Sequence, residues 1–179
     1  MMEKLSCRLS RICENEHVLT LRFNRASHGR FVHGLFSVAS RLGNGVFWYV
    51  LMGLLLLRYQ LAALPAVLHM VLVGVVSLLL YKWLKGKTLR RRPYTFNDEI
   101  HVTVAPLDQY SFPSGHTLHA VSFTIVLLAY YPAMAWLVVP FTLLVALSRL
   151  VLGLHYPTDV MAGTLIGAAV ASLSFAIPL

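Results

Sequence analysis

Arg149, His155 and Asp159 stand within eleven residues in the stretch SRLVLGLHYPTD, and the chain on either side of it is apolar. Ionisable groups are expensive beside a bilayer, so such a cluster marks function. A histidine followed four positions on by an aspartate suits an oriented nucleophile or base. Asp159 can hold one ring nitrogen of His155 and leave the other free to react.

Two more polar islands carry matching chemistry. KGKTLRRRPY (85–94) offers Lys85 and Arg92, and YSFPSGHTLH (110–119) offers Ser114, Gly115 and His116. Across the three islands Lys85, Arg92 and Arg149 stand out as cations, His116 and His155 as titratable bases, and Asp159 as the one carboxylate. A single carboxylate is too few for a pair of divalent metals. Several cations around two histidines suit a phosphate instead, and neither metal nor other cofactor is expected. In PSGH, Pro113 fits the first turn of a helix. The N–H groups of Ser114, Gly115 and His116 would then be free to bind an anion, and Gly115 allows close backbone approach. HYPTD repeats the device, with Pro157 starting a helix and Asp159 in its first turn.

The elements that must position these islands follow from composition. Of 179 residues, 58% are hydrophobic and 12% charged, with mean hydropathy +0.69. A soluble domain carries about 25% charged residues, so the chain reads as an all-α, polytopic membrane helix bundle. Five spans are expected, near 43–57 (starting from about residue 39), 61–84, 114–131, 133–152 and 157–179. Pro140 should kink the fourth. Small residues at Gly163, Gly167 and Ala171 suit close helix packing in the fifth. In an up-down bundle all three islands fall at one end. Before the spans lies a basic N-terminal segment, 1–38, where 30–42 has the spacing of an amphipathic helix, either interfacial or packed on the bundle. No cleavable signal is expected there. The chain therefore divides into 1–38 and a membrane domain, 39–179.

Net charge is +8, with seven Lys/Arg between Lys4 and Arg41 and six between Lys82 and Arg92. Beside apolar helices such clusters serve anionic headgroups or a phosphate substrate rather than nucleic acid. Lys82, Lys87, Arg90 and Arg91 read as anchors at the membrane face. Cys7, Cys13 and His17 fit no strong zinc spacing. His119 lies one turn past His116 and can support the same cleft. His69 reads as a satisfied packing residue, and Asp98, Glu99 and His101 fall in the polar connection 94–112.

The three islands resemble the type 2 phosphatidic-acid phosphatase (lipid phosphate phosphatase) superfamily, in its small bacterial membrane form. Lys85 and Arg92-Pro93 are separated by six residues; Pro113-Ser114-Gly115-His116 follows; then Ser148-Arg149, five residues, His155, three residues and Asp159. All three family motifs are matched with their internal spacings. The resemblance implies that His155 attacks phosphorus and forms a phosphohistidine, and that Asp159 supports it. His116 would protonate the leaving group and then activate water. Lys85, Arg92, Ser114, Gly115 and Arg149 would hold the phosphoryl oxygens. It implies a metal-independent hydrolase of a phosphorylated lipid: phosphatidylglycerol phosphate, phosphatidic acid, a polyprenyl diphosphate or a lipid A precursor. A lipid phosphotransferase or a non-catalytic lipid-binding or transport protein on the same scaffold are the alternatives. The basic N-terminus and islands place the site on the cytoplasmic side of a bacterial inner membrane.

Overall fold

The structure, a computed structural model, describes residues 16–95, 99, 100, 102, 104 and 108–176. Cys7, Cys13, Asp98 and His101 lie outside the described residues. Residues 16–25 are helical (α1) and are followed by α2 (Arg30–Leu42), α3 (Val46–Tyr59), α4 (Leu64–Thr88), α5 (Gly115–Tyr130), α6 (Ala135–Val151) and α7 (Pro157–Ser174). The fold is all-α.

The helix ends follow local chemistry. Gly43-Asn44-Gly45 breaks α2 from α3, with Gly45 at φ 116°, so the expected continuous helix from residue 39 through 57 is instead two helices. The boundary drawn between 38 and 39 falls inside α2. Between α3 and α4 the backbone turns through Gln60 and one 3-10 turn, Gln60–Ala63. Pro157 opens α7 as expected, whereas Pro113 sits just before α5, whose N-cap is Ser114.

Among the described residues, two stretches are long and apolar enough to cross a membrane, Val46–Thr88 and Pro132–Val151. Five had been expected. Part of the shortfall is geometric, because α3 and α4 run on as one helical stretch of 43 residues; α5 is apolar but only 16 residues long, and α7 is not among the stretches that qualify. A straight helix of that length would be about 65 Å long, twice a bilayer core. Gly45 at the start of α3 and Lys85 near the end of α4 nevertheless line one cleft, so the chain reverses between them.

α5 is central and packs on α4, α6 and α7. Its Phe123, Val126 and Leu127 join Trp48, Met70, Val138 and Val145 in the core. The α5–α7 contact is tight. A Cβ added at Gly163 would come within 2.6 Å of the Ser114 carbonyl, and one at Gly167 within 2.5 Å of the Leu118 carbonyl. The small residues of α7 are therefore what lets the second and third islands meet. Around this core the outer surface is greasy: Leu57, Leu61, Trp136, Leu165 and Leu173 are all exposed. Such a surface suits lipid rather than water. In α2 the small residues Ser37, Ala39 and Ser40 are buried, and α2 packs on α6. Its apolar Phe31, Leu35 and Val38 are exposed. The helix thus packs on the bundle and also presents an exposed apolar side.

Candidate active site

Leu89, in the left-handed region at φ 47°, ends α4 and sends three successive arginines in different directions. Arg91 pairs by backbone with Tyr110 and is exposed. Arg92 turns inward and is 1% exposed. Its Nη1 donates to the Leu154 carbonyl at 2.7 Å, its Nε to the Asp108 carbonyl at 3.0 Å and its Nη2 to the Asp108 carboxylate at 2.8 Å. Lys85 Nζ reaches the same carboxylate oxygen at 2.6 Å and the Tyr110 carbonyl at 2.9 Å. Burial pushes the Asp108 carboxyl up, but Lys85 and Arg92 outweigh it and hold the group below its ordinary range. Asp159 is thus not the sole carboxylate of the site. Asp108 sits on two of the expected phosphate-binding cations, in the place an anionic ligand would take.

The loop after α6 explains the spacing of the third island. The Arg149 carbonyl accepts from the N–H groups of Leu154 and His155, at 3.0 and 3.1 Å. Gly153, at φ 68°, makes this reversal possible, and a Cβ there would strike Ile100 and Asn24. His155 is 1% exposed, and its Nε2 lies 3.3 Å from Arg92 Nη1. A guanidinium has donors only, so Nε2 is the accepting nitrogen and the ring proton sits on Nδ1. Nδ1 faces Asp159 Oδ2 at 3.6 Å. That is ion-pair range but too long for the expected hydrogen bond. Burial first, then Arg149 and Arg92, push the His155 imidazole well below its ordinary value, so the ring is neutral near pH 7. The nitrogen facing the cations is therefore a free base.

Arg149 is 2% exposed; Nη1 donates to Ser40 of α2 at 2.5 Å, and Nε has no partner among the described residues. Unpaired buried donors are rare and costly, and an anion bound nearby would satisfy this one. Three cations, Lys85, Arg92 and Arg149, thus stand against one carboxylate, Asp108.

The start of α5 is arranged differently from expectation. The Ser114 N–H is not free: it donates to the Asp159 backbone carbonyl at 3.0 Å, which ties the second island to the third. The Ser114 hydroxyl, fully buried, lies 3.0 Å from that of Thr117. His116 points toward the cleft, where its Nε2 bonds Asn44 Oδ1 of the α2–α3 turn. His119 Nδ1 bonds the Gly115 carbonyl at 2.8 Å and lines the same cleft. Far from this end, His69 is held by Tyr130 at 3.1 Å and Ser174 at 2.7 Å, a satisfied packing residue as read.

A cleft of about 290 Å³ brings Lys85, Arg92, Gly115, His116 and His155 to one end; Ser114, Arg149 and Asp159 stand behind that lining. From there it runs between α3 and α4, past Trp48, Met52, Leu78 and Val75 to Val71. Lys85 to Val71 is about 21 Å along a helix. One end is therefore cationic and the rest apolar.

Sequence reasoning missed Asp108, Asn44 and Arg90. Arg90 had read as an anchor, yet its guanidinium lies 2.7 Å from Asp159 Oδ1. Asn44 carried a signal, a polar residue between two glycines against an apolar run. Asp108 and Arg90 carried none beyond their charge.

The pattern of the PAP2 superfamily matches residues 62–179, about two-thirds of the chain. An undecaprenyl-diphosphatase of Sulfolobus acidocaldarius is 29% identical over 80% of this chain and 69% of its own length. A decaprenylphosphoryl-5-phosphoribose phosphatase of Mycolicibacterium smegmatis is 42% identical over 43% of this chain and 42% of its own. The crystal structure of a transmembrane PAP2-type phosphatidylglycerolphosphate phosphatase from Bacillus subtilis superposes with a TM-score of 0.72 at 22% identity. That match covers 93% of this chain and 85% of the other, a likeness of fold.

Proposed function

The chain belongs to the PAP2 superfamily, a family of metal-independent membrane phosphatases, and on that premise we propose that it hydrolyses a phosphorylated lipid through a phosphohistidine. The observation that carries this reading is the position of His155 Nε2. It is the accepting nitrogen, it faces Arg92, and it lies at the cationic end of an otherwise apolar cleft. The phosphate enters among Lys85, Arg92 and Arg149, displacing the Asp108 carboxylate. Nε2 attacks phosphorus while the bond to the leaving oxygen breaks. His116 gives that oxygen its proton. Asp159 offsets the positive charge the His155 ring gains. Water then attacks the phosphohistidine, His116 takes its proton, and Nε2 departs with its electron pair. The Gly115 N–H, at the first turn of α5, and the three cations hold the equatorial oxygens, where transition-state charge collects. Ser114 braces the start of α5 against Asp159.

The apolar length of the cleft supports a chain-bearing substrate: phosphatidic acid, phosphatidylglycerol phosphate, a polyprenyl diphosphate or a lipid A precursor. Purified protein is assayed against all four, reading inorganic phosphate. Release from at least one, lost in His155→Ala, is the expected result. Release from none, or release that survives the substitution, contradicts the proposal. Label moving to a second lipid without free phosphate would mark a phosphotransferase instead.

We also propose five spans, α3 to α7, and a cytoplasmic site in a bacterial inner membrane. Residues 16–42 contact the site end, through Asn24 on Val151 and Ser40 on Arg149, which supports a shared side for the basic N-terminal segment and the three islands. Positive residues favour the cytoplasmic side.

A further inference from the structure

Arg90 belongs to none of the three motifs, yet it is the charged side chain that touches Asp159. Its Nη1 lies 2.7 Å from Asp159 Oδ1 and 2.8 Å from Thr158 Oγ1. Its Nη2 lies 2.6 Å from Glu16 Oε2, and its guanidinium stacks 4.2 Å over the Tyr156 ring. The other oxygen of Glu16 accepts from the Thr158 hydroxyl and, at 3.2 Å, from the Thr158 N–H. Glu16 is 6% exposed and Asp159 not at all. Asp159 Oδ2 accepts the Tyr156 N–H at 2.9 Å, so both carboxylate oxygens are held.

We propose that Glu16 and Arg90 are positioning residues: Arg90 pairs with Asp159 and fixes it against His155 Nδ1, and Glu16 fixes Arg90. The inference rests on the phosphatase reading above. A carboxylate with no solvent contact stays charged only beside a compensating cation. Arg90 supplies it, in the forked geometry that lets one guanidinium bridge two carboxylates. Glu16 completes an anion–cation–anion row, so Arg90 does not place an unbalanced positive charge beside a histidine that must itself become cationic. The other charged or titratable groups around the pair are Lys85 from α4, Arg92 and Asp108 from the loops, Arg149 from α6 and His116 from α5. His17, one residue after Glu16, stands edge-on to Tyr156 at 5.4 Å. Glu16 lies outside the stretch that the family pattern matches, 62–179. The N-terminal helix is thereby part of the catalytic apparatus of this chain.

Glu16→Gln, Arg90→Gln and the double substitution are made in the full chain. Each is assayed on whichever lipid of the four-lipid panel wild type turns over fastest, with inhibition by inorganic vanadate measured alongside. Loss of outer-shell support typically costs about 10–100-fold, and that fall in kcat is expected for Arg90→Gln. KM and vanadate inhibition should stay within about threefold, because Lys85, Arg92 and Arg149 are untouched. Glu16→Gln should lower kcat less, and should add little in the Arg90→Gln background. An unchanged kcat in Arg90→Gln, or vanadate inhibition lost in step with kcat, overturns the inference. His155→Ala run in parallel separates the two readings. Wild-type turnover that survives it refutes the route through His155; turnover that depends on His155 while Arg90→Gln leaves kcat unchanged refutes only the positioning role.

Discussion

At the residue scale the account turns on which nitrogen of His155 is free. Arg92 cannot accept a hydrogen bond, so Nε2 must, and the proton is left on the Asp159 side. Burial and the Arg149 and Arg92 charges depress the His155 proton affinity. Attack needs the neutral ring, so phosphoenzyme formation should persist on the acid side of 6.5, the ordinary histidine value. Rapid-quench rates between pH 5 and 8 check this; a midpoint at or above 6.5 would refute the assignment. Asp108 gives a second test. Its carboxylate competes with substrate for Lys85 and Arg92, so Asp108→Asn should strengthen vanadate inhibition severalfold. Weaker inhibition would make Asp108 a scaffold for the cations rather than a competitor. The motif residues were legible because chemistry restricts both their type and their spacing. Lys85 and Arg92 sit one loop apart, and the five residues between Arg149 and His155 are the length of the reversal that the Arg149 carbonyl closes. Arg90, Arg91 and Arg92 are adjacent and alike, and only the left-handed Leu89 decides which turns inward.

At the element scale the site is made by close approach of α5 and α7. The approach depends on glycine at 163, where a side chain would meet the Ser114 carbonyl. That carbonyl begins α5, and the neighbouring Ser114 N–H holds the Asp159 backbone. Gly163→Ala should therefore cost about 1–3 kcal/mol by overpacking and lower kcat as the two islands separate. Thermal unfolding in detergent and the lipid assay check both; unchanged stability would mean the helices have slack there. The small-residue pattern made this contact legible in advance. The α2–α3 turn was not: a continuous helix from residue 39 fitted the apolar pattern as well as a break did. The GNG sequence marks the turn, and through it Asn44 reaches His116. Asn44→Ala should slow both formation and hydrolysis of the phosphoenzyme, because His116 serves the leaving oxygen in the first step and water in the second. A loss confined to one step would contradict this.

At the scale of the whole molecule, an apolar exterior surrounds one polar end. The expected bundle was legible from composition; its number of crossings was less so, because α3 and α4 join without a helix-free loop and α5 is only 16 residues long. The N-terminal segment was least legible. Its basic residues read as a membrane-facing appendage, but Glu16, Asn24, Ser40 and Asn44 each contact the site end from elements that come before α3. Isolated polar residues far apart in sequence give no periodic signal, so only the fold reveals that they converge. Single cysteines at Thr95 and Gln60, in a background lacking Cys7 and Cys13, report the side of the site. In intact cells an impermeant thiol reagent should label position 60 and spare 95. The reverse pattern would place the site outside the cytoplasm.

The central claim is that phosphate passes through His155. Protein mixed with lipid labelled in its terminal phosphate, quenched within milliseconds and digested, should carry the label on the His155 peptide, stable in alkali and lost in acid. His155→Ala should carry none and turn over nothing. Label on another residue, or label that survives that substitution, would contradict the account.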